Sequence, residues 1–414
     1  GVLIMDLVAD EDGNVAPRLN DVSMSEEQAL EDHAEIMDAI KAGTFKFTEY
    51  GFPHSIMAPL IDGLKNIHTF NIPHREIRPD NVFFMDKAQQ VVGLGDCATV
   101  PPGFDQPPMF EPIDRSMAQP GGRGLGGLPD DVYALGVTFV VFMLGYNPVA
   151  NISEENLIRM KMEQGSYVAI CGNAHFPVPL LEPLRGMLND AKEERWGLEE
   201  LTGWLMGQKQ ASIKHVPIAK SDFLYSFEGH DHITPRTLAH YLSRHRETAM
   251  EAIKDDALIG WLRKGTQDAN LADGIKAAVE TAALHKDEPQ GTDDFVIAKA
   301  CMVLDPHAPV RYKGFTFMPD GFGPAMAVEV LRRGDAKLPM EVLAYDLPIL
   351  WYTFRKAVFS GASVQQTEYI RLKSFLNIRD LGYGHERCLY ETNPSMPCQS
   401  PLLLKDYVVN IEDL

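Results

Sequence analysis

The chain lacks a basic surplus. Its 38 lysines and arginines face 58 aspartates and glutamates, a formal net charge of -20. A nucleic-acid groove or an acidic membrane surface needs a positive footprint, so no nucleic acid is expected as a partner. Cysteine is scarce as well. Cys97, Cys171, Cys301, Cys388 and Cys398 are odd in number and scattered, which argues against a disulfide framework and for reduced thiols in the cytoplasm. No apolar run is long enough to span a bilayer, and no membrane insertion is expected. The longest run, Val132 to Leu144, contains Gly136 and Thr138 and reads as a buried helix. The opening Gly1-Val2-Leu3-Ile4-Met5 is too short for a secretory signal and has no basic flank. A chain that opens directly on an apolar, strand-like run also fits a piece of a longer one.

At 414 residues there is room for two or three domains, each with its own core. The most informative stretch is His74-Arg75-Glu76-Ile77-Arg78-Pro79-Asp80-Asn81, closed by Val82-Phe83-Phe84. It crowds ionisable side chains and an amide onto a loop between apolar anchors. Such a loop costs desolvation and like-charge strain, which structures tolerate mainly where charge is used. Before it, Ile56, Met57, Leu60, Ile61, Leu64 and Ile67 recur with helical spacing, with Pro59 suited to the first turn. After it, 81–84 and 91–94 are short β-rich runs separated by the turn-prone Asp86-Lys87-Ala88-Gln89, and Gly95-Asp96-Cys97-Ala98 follows.

Upstream, residues 1–8 read as a buried strand, and the acidic stretch 9–50 as a surface helix pair around Ser25. Residues 99–130 are rich in proline and glycine. Within them Gly122-Arg123-Gly124-Leu125-Gly126-Gly127 invites a phosphate-loop reading, but no strand precedes it and Pro129 follows closely. Leu180, Leu181, Leu184, Met187 and Leu188 share one helical face, and Glu194-Arg195-Trp196 leads into a helix ending near Leu205.

The remainder is helical by pattern. Thr234-Pro235 reads as an N-cap with proline at the first helical position. Helical runs are expected at 256–263, 270–285, 293–304, 323–333, 340–358 and 364–377, with a short hairpin over Arg311 to Met318. His230-Asp231-His232 is a poor metal site, because adjacent residues rarely converge on one ion. Cys388 and Cys398 are better read as unrelated thiols than as a redox pair. Trp261, Trp351 and Tyr352 are expected in the core or between domains.

In order and spacing, residues 1–207 resemble the large lobe of protein kinases, of a divergent, pseudokinase-like form nearest the bacterial serine/threonine type. The loop resembles the family's His-Arg-Asp-Leu-x-x-x-Asn, with Glu76 standing where the family has its catalytic aspartate. Asp96 matches the metal-binding aspartate of the Asp-Phe-Gly motif, with Cys97 and Ala98 replacing phenylalanine and glycine. Asp131-Val132-Tyr133-Ala134-Leu135-Gly136-Val137 resembles the start of the central helix, whose aspartate caps the catalytic-loop backbone in that family. Arg195 looks like the arginine that pairs with the glutamate of Ala-Pro-Glu. That motif is missing, Phe110-Glu111-Pro112 is at best a scrambled substitute, and Glu111 is the nearby candidate partner.

The resemblance implies a mainly α fold: a kinase-like C-terminal lobe over 1–207, a linker over 208–222, and a helical domain of no recognised type over 223–414. It makes Glu76 and Arg78 the catalytic pair and Asn81 and Asp96 the ligands of Mg²⁺ and ATP. His74, Arg75, Asp131 and Arg195 become structural. It also puts the hinge near 1–13, so the family's glycine-rich loop, lysine strand and regulatory helix are not in this sequence. Without that phosphate clamp, Mg²⁺ and ATP binding is expected to be weak or absent. The extra methylene of Glu76 displaces its oxygens by roughly an ångström, and a misplacement of that size costs about 100-fold in rate. The expected function is therefore a pseudokinase-like scaffold that binds a protein partner. The alternative is a divergent serine/threonine protein kinase whose small lobe lies upstream.

Overall fold

A computed structural model describes residues 36–43, 46, 48, 51–85, 91–95, 97, 101–210, 218, 220–266, 268–355, 362–380 and 382–393. The strand expected at 1–8, the helices expected around Ser25, Asp96 and Cys398 lie outside them. The described fold is mainly α, the class expected, with three two-stranded antiparallel sheets. No helix among the described residues is long and apolar enough to cross a membrane.

After a short helix α1 (Ile36–Lys41), a widened turn at Pro53–Met57 leads into α2 (Ala58–His68). Pro59 sits in the first turn of α2, directly after the widened turn, which closes with Ala58 N donating to Pro53 O. Leu60, Ile61 and Leu64 form its buried stripe. The charged loop follows, and β1 (Val82–Phe84) pairs antiparallel with β2 (Val92–Leu94), with Phe83 opposite Gly93. Next come α3 (Ile113–Ser116) and α4 (Leu128–Leu144). Helix α4 is buried on every side from Asp130 to Phe142, as suits a central element, and stops at Gly145 with φ +72°. Helices α5 (Glu154–Gln164), α6 (Ser166–Cys171), α7 (Val178–Met187) and α8 (Leu198–Leu205) complete one apolar core built entirely from residues 36–205.

The following region opens with a hairpin the sequence did not announce, β3 (Tyr225–Phe227) and β4 (His230–His232). Its turn residues Glu228 and Gly229 both have positive φ, the geometry that matches strand twist in a two-residue hairpin. Helix α9 (Pro235–Arg244) starts as expected, with the Thr234 hydroxyl accepting the Thr237 amide at 3.2 Å. Then follow α10 (Arg246–Lys254), α11 (Asp256–Lys264), α12 (Ala269–Leu284), α13 (Asp293–Leu304), the hairpin β5 (Val310–Tyr312) and β6 (Phe315–Phe317), and α14 (Phe322–Arg333). The single helix expected over 340–358 is instead two, α15 (Lys337–Ala344) and α16 (Leu347–Arg355). Asp346 breaks it by adopting φ +57°, a conformation aspartate tolerates, and Pro348 restarts the chain in a first turn where proline is accepted. Helices α17 (Ala362–Phe375) and α18 (His385–Glu391) end the described part.

Residues 113–124 connect the two regions. Gln119 N donates to Thr316 O at 3.1 Å and Met318 N donates to Gly122 O at 2.7 Å, so this segment runs along the β5–β6 hairpin. Gly122 is required there: a Cβ would sit 2.6 Å from the Thr316 carbonyl. A small apolar cluster of Ile113, Met117, Ile158, Met162 and Ala308 seals the junction.

Candidate functional site

The charged loop is organised by Asp131, in the first turn of α4. One carboxylate oxygen accepts His74 N at 2.6 Å and the other accepts Arg75 N at 2.8 Å. His68, at the end of α2, adds its Nε2 at 2.9 Å. These bonds hold Arg75 at φ +62°, a strained setting for a long side chain. The strain aims the Arg75 guanidinium into the protein. There it meets Glu111 at 3.0 Å, with 2% and 0% of the two side chains exposed. Gly126, itself at φ +77°, makes the room, because a Cβ there would stand 2.5 Å from Arg75 Nε. The glycine run at 122–127 therefore serves close packing.

Arg195 does not pair with Glu111 as the resemblance implied. Its guanidinium donates to Asn189 O at 2.8 Å and Pro129 O at 2.9 Å, and lies 3.5 Å from Asp130. The reason is local: Glu111 is already taken by Arg75, while Asp130 and the start of α4 lie beside Arg195. Asp130 is also bonded by Arg115 Nε at 2.8 Å. Burial would raise the Asp130 pKa, but Arg115, then Lys192, Arg75 and Arg195, outweigh it and hold this carboxyl far below the usual range.

Glu76, Arg78, Asp80 and Asn81 make a second set of contacts within the loop. The Glu76 carboxylate lies 3.0 Å from an Arg78 nitrogen, and Arg78 Nε also reaches Asp80 at 3.0 Å. Arg78 further donates to Asp105 O at 3.1 Å. Asn81 donates its amide to Glu76 O at 2.8 Å, and its Oδ1 is directed at Gly95, the residue before Asp96. An amide oxygen suits a hard cation such as Mg²⁺. The second expected ligand, Asp96, lies outside the described residues. Among the described residues no three His, Cys, Asp or Glu side chains gather as a metal site.

His230 and His232 both pack against Tyr241, and burial lowers His232 to about 4. Trp261 and Trp351 lie in separate apolar cores and donate to Phe223 O at 2.8 Å and Ala308 O at 2.6 Å. Burial pushes the Cys388 thiol up to about 11, far from a reactive thiolate at neutral pH.

Sequence reading missed Lys161, Arg115 and the role of His68. Lys161 is fully buried and donates to the carbonyls of Pro108, Met109 and Glu111 at 2.7, 3.3 and 2.8 Å. It thus shapes the backbone that presents Glu111. Its signal was present: Lys161 falls one turn from Leu157 on the stripe that also holds Ile158 and Met162, a core-facing position for a cation.

No family model matches the chain. Among curated proteins it is similar to calcium-dependent protein kinase 3 of Plasmodium yoelii yoelii, 29% identical over 145 residues, 32% of this chain and 25% of that protein. The protein of the same name from Plasmodium berghei (strain Anka) is also 29% identical over 145 residues, covering 32% and 24%. The chain spans about a quarter of the length of the curated relatives it matches. These partial matches support a distant protein kinase-like relationship, and the mainly α fold is consistent with a kinase-like C-terminal lobe followed by a helical region.

Proposed function

We propose that this chain is a pseudokinase-like scaffold, with a large lobe over 1–207, a linker over 208–222 and a helical domain over 223–414, which binds a protein partner. The observation that carries this reading is the 3.0 Å ion pair between Glu76 and Arg78. In phosphoryl transfer Glu76 would accept the proton of the acceptor hydroxyl, and Arg78 would hold the transferred phosphate. Here each group occupies the other, and Arg78 is further bound by Asp80 and Asp105. A base held this way must break its pair before it can act. The attachment of residues 113–124 to the β5–β6 hairpin adds support, because in kinase register this is the segment beside which a substrate would lie. The cytoplasmic setting rests on the scattered thiols and the serine/threonine type on the motifs.

The second reading is a divergent serine/threonine protein kinase completed by an upstream small lobe. The loop backbone capped by Asp131 and the placement of Asn81 Oδ1 against Gly95 favour it. In that case Asn81 and Asp96 would hold Mg²⁺, which neutralises phosphate charge. In the scaffold reading Mg²⁺ and ATP bind weakly or not at all.

The deciding experiment follows radiolabelled phosphate from Mg-ATP onto the protein itself or a generic substrate, for the wild type, Glu76→Gln and Glu76→Asp. The scaffold reading expects no transfer by any of the three. Transfer that Glu76→Gln abolishes and Glu76→Asp accelerates would replace the scaffold with the enzyme.

A further inference from the structure

A cavity of about 530 Å³ opens where residues 116–123 meet α9 and the β5–β6 hairpin. In an acidic chain its lining is basic, with Arg123, Arg244, Arg246, Arg311 and Lys313 against the carboxylate of Glu154. Most of these cations are engaged. Arg244 pairs with Glu155 at 2.8 Å, Lys313 with Glu341 at 2.6 Å, and Arg246 with Asp294. Arg123 gives Nη1 to the Gly103 and Gln106 carbonyls, although its Nε, like Arg311 Nη1, has no partner among the described residues.

Arg311, on β5, is different. It is 4% exposed, its Nη2 touches Met117 Sδ at 3.1 Å and its guanidinium also interacts with the Cys301 thiol, but its Nη1 has no hydrogen-bond partner among the described residues. Asp305 is the acid whose charge acts on it most, yet Asp305 Oδ1 is bonded to Arg236 at 3.1 Å and no ion pair joins Asp305 to Arg311. His240, on α9, lines the same cavity, is also 4% exposed, and leaves its Nε2 without a partner. Burial and the Arg311 charge keep His240 neutral, so the tautomer protonated at Nε2 would donate one bond. A buried guanidinium with an empty donor is costly unless something anionic completes it. The fork of a guanidinium matches the oxygens of a phosphate, and the cavity is of small-molecule size.

We propose that this cavity binds the phosphate group of a small phosphorylated molecule, with Arg311 as the anchor and His240 as the second donor. Occupancy would tie the 116–123 segment to α9 and the hairpin, whether or not the lobe transfers phosphate.

Thermal unfolding of the full chain tests this with inorganic phosphate or glycerol 3-phosphate at millimolar concentration, against chloride at equal ionic strength. Both phosphates should raise the melting temperature above the chloride value by about 2–4 °C. Arg311→Met should abolish the shift, and its ligand-free melting temperature should equal or exceed that of the wild type, because a buried charge with no ion-pair partner has gone. Arg332→Met, on an exposed stretch of α14, should keep the shift. His240→Phe, which keeps a ring and loses the donor, should weaken phosphate binding by about tenfold in calorimetry. No shift above chloride, or a shift that survives Arg311→Met, would overturn the proposal. So would a marked loss of ligand-free stability in Arg311→Met together with unchanged phosphate binding in His240→Phe, since Arg311 would then be a structural strut. A shift with a phosphoserine peptide and none with either small phosphate would overturn the small-molecule assignment.

Discussion

The guanidinium of Arg75 and the carboxylate of Glu111 meet at 3.0 Å in a setting almost closed to solvent. The pair binds the charged loop to a segment 36 residues further on, and Lys161 braces the Glu111 backbone from behind. Both anchors lie on irregular chain, so this junction depends on a few polar contacts more than on any helix.

Glu111→Gln should be strongly destabilising. It leaves the Arg75 guanidinium buried and uncompensated, which costs about 3–5 kcal/mol. The double substitution Arg75→Met with Glu111→Leu should recover most of that loss, since apolar side chains need no partner. Chemical denaturation of the wild type, Glu111→Gln and the double variant is the check, and a Glu111→Gln change within about 1 kcal/mol of wild type would contradict the assignment.

Asp320 should control how firmly the 113–126 segment is held. It accepts Arg115 at 3.0 Å and Gly126 N at 3.1 Å from a side chain that is 33% exposed. Discounted for that exposure, Asp320→Ala should cost about 1 kcal/mol of global stability. The larger effect should be local. Amide exchange across 116–126 should accelerate while α4 keeps its protection, and equal acceleration in both would rule out a local tether.

The acid limb of stability should report Asp130. Its folded pKa lies far below the ordinary value of 3.8, so the folded state favours its ionised form. Stability from this group is therefore fully present above about pH 4 and is lost as the pH falls below that value. Asp130→Asn should lower stability at neutral pH and flatten the fall between neutral and strongly acidic pH. Denaturation midpoints across that range measure it, and a variant with an unchanged acid slope would mean that other carboxylates dominate.

Two glycines should respond in opposite ways to the same methyl group. At Gly122 a Cβ would meet Thr316 O at 2.6 Å and Phe317 at 2.9 Å, all backbone or nearly so. Gly122→Ala should cost about 1–3 kcal/mol, because neither the turn at Pro120–Gly122 nor strand β6 can yield without breaking its bonds. At Gly63, inside α2, nothing lies within 4 Å of the added carbon, so Gly63→Ala should stabilise by about 0.5–1 kcal/mol. Melting curves of the two variants make the comparison directly.

Much of the fold was legible because it is decided locally. Helices α2 and α13 follow from apolar spacing and α4 from its long apolar run, and the β5–β6 hairpin follows from its alternation and the turn at Lys313-Gly314. The β3–β4 hairpin was hidden, since His230, Asp231 and His232 carry no apolar alternation and only the Glu228-Gly229 turn marks it. The break at Asp346 was overlooked although Pro348 marks it, because the apolar residues of α15 and α16 run on across it.

The sequence by itself determined which side chains crowd the loop at 74–81 and which elements flank it, because helical periodicity, proline position and turn chemistry act over a few neighbours. Partner choice was decided only by the tertiary structure. Arg75, Arg78, Arg115 and Arg195 are equally able to pair with Glu76, Asp80, Glu111, Asp130 or Asp320 in an extended chain. Chain path, burial and the space left by glycines sort them into Arg75 with Glu111, Arg78 with Glu76 and Asp80, Arg115 with Asp130 and Asp320, and Arg195 with Asp130 and carbonyls. Coulomb attraction carries no address of its own at these separations in water, and only the packed interior, by removing solvent and fixing distances, makes one pairing prevail.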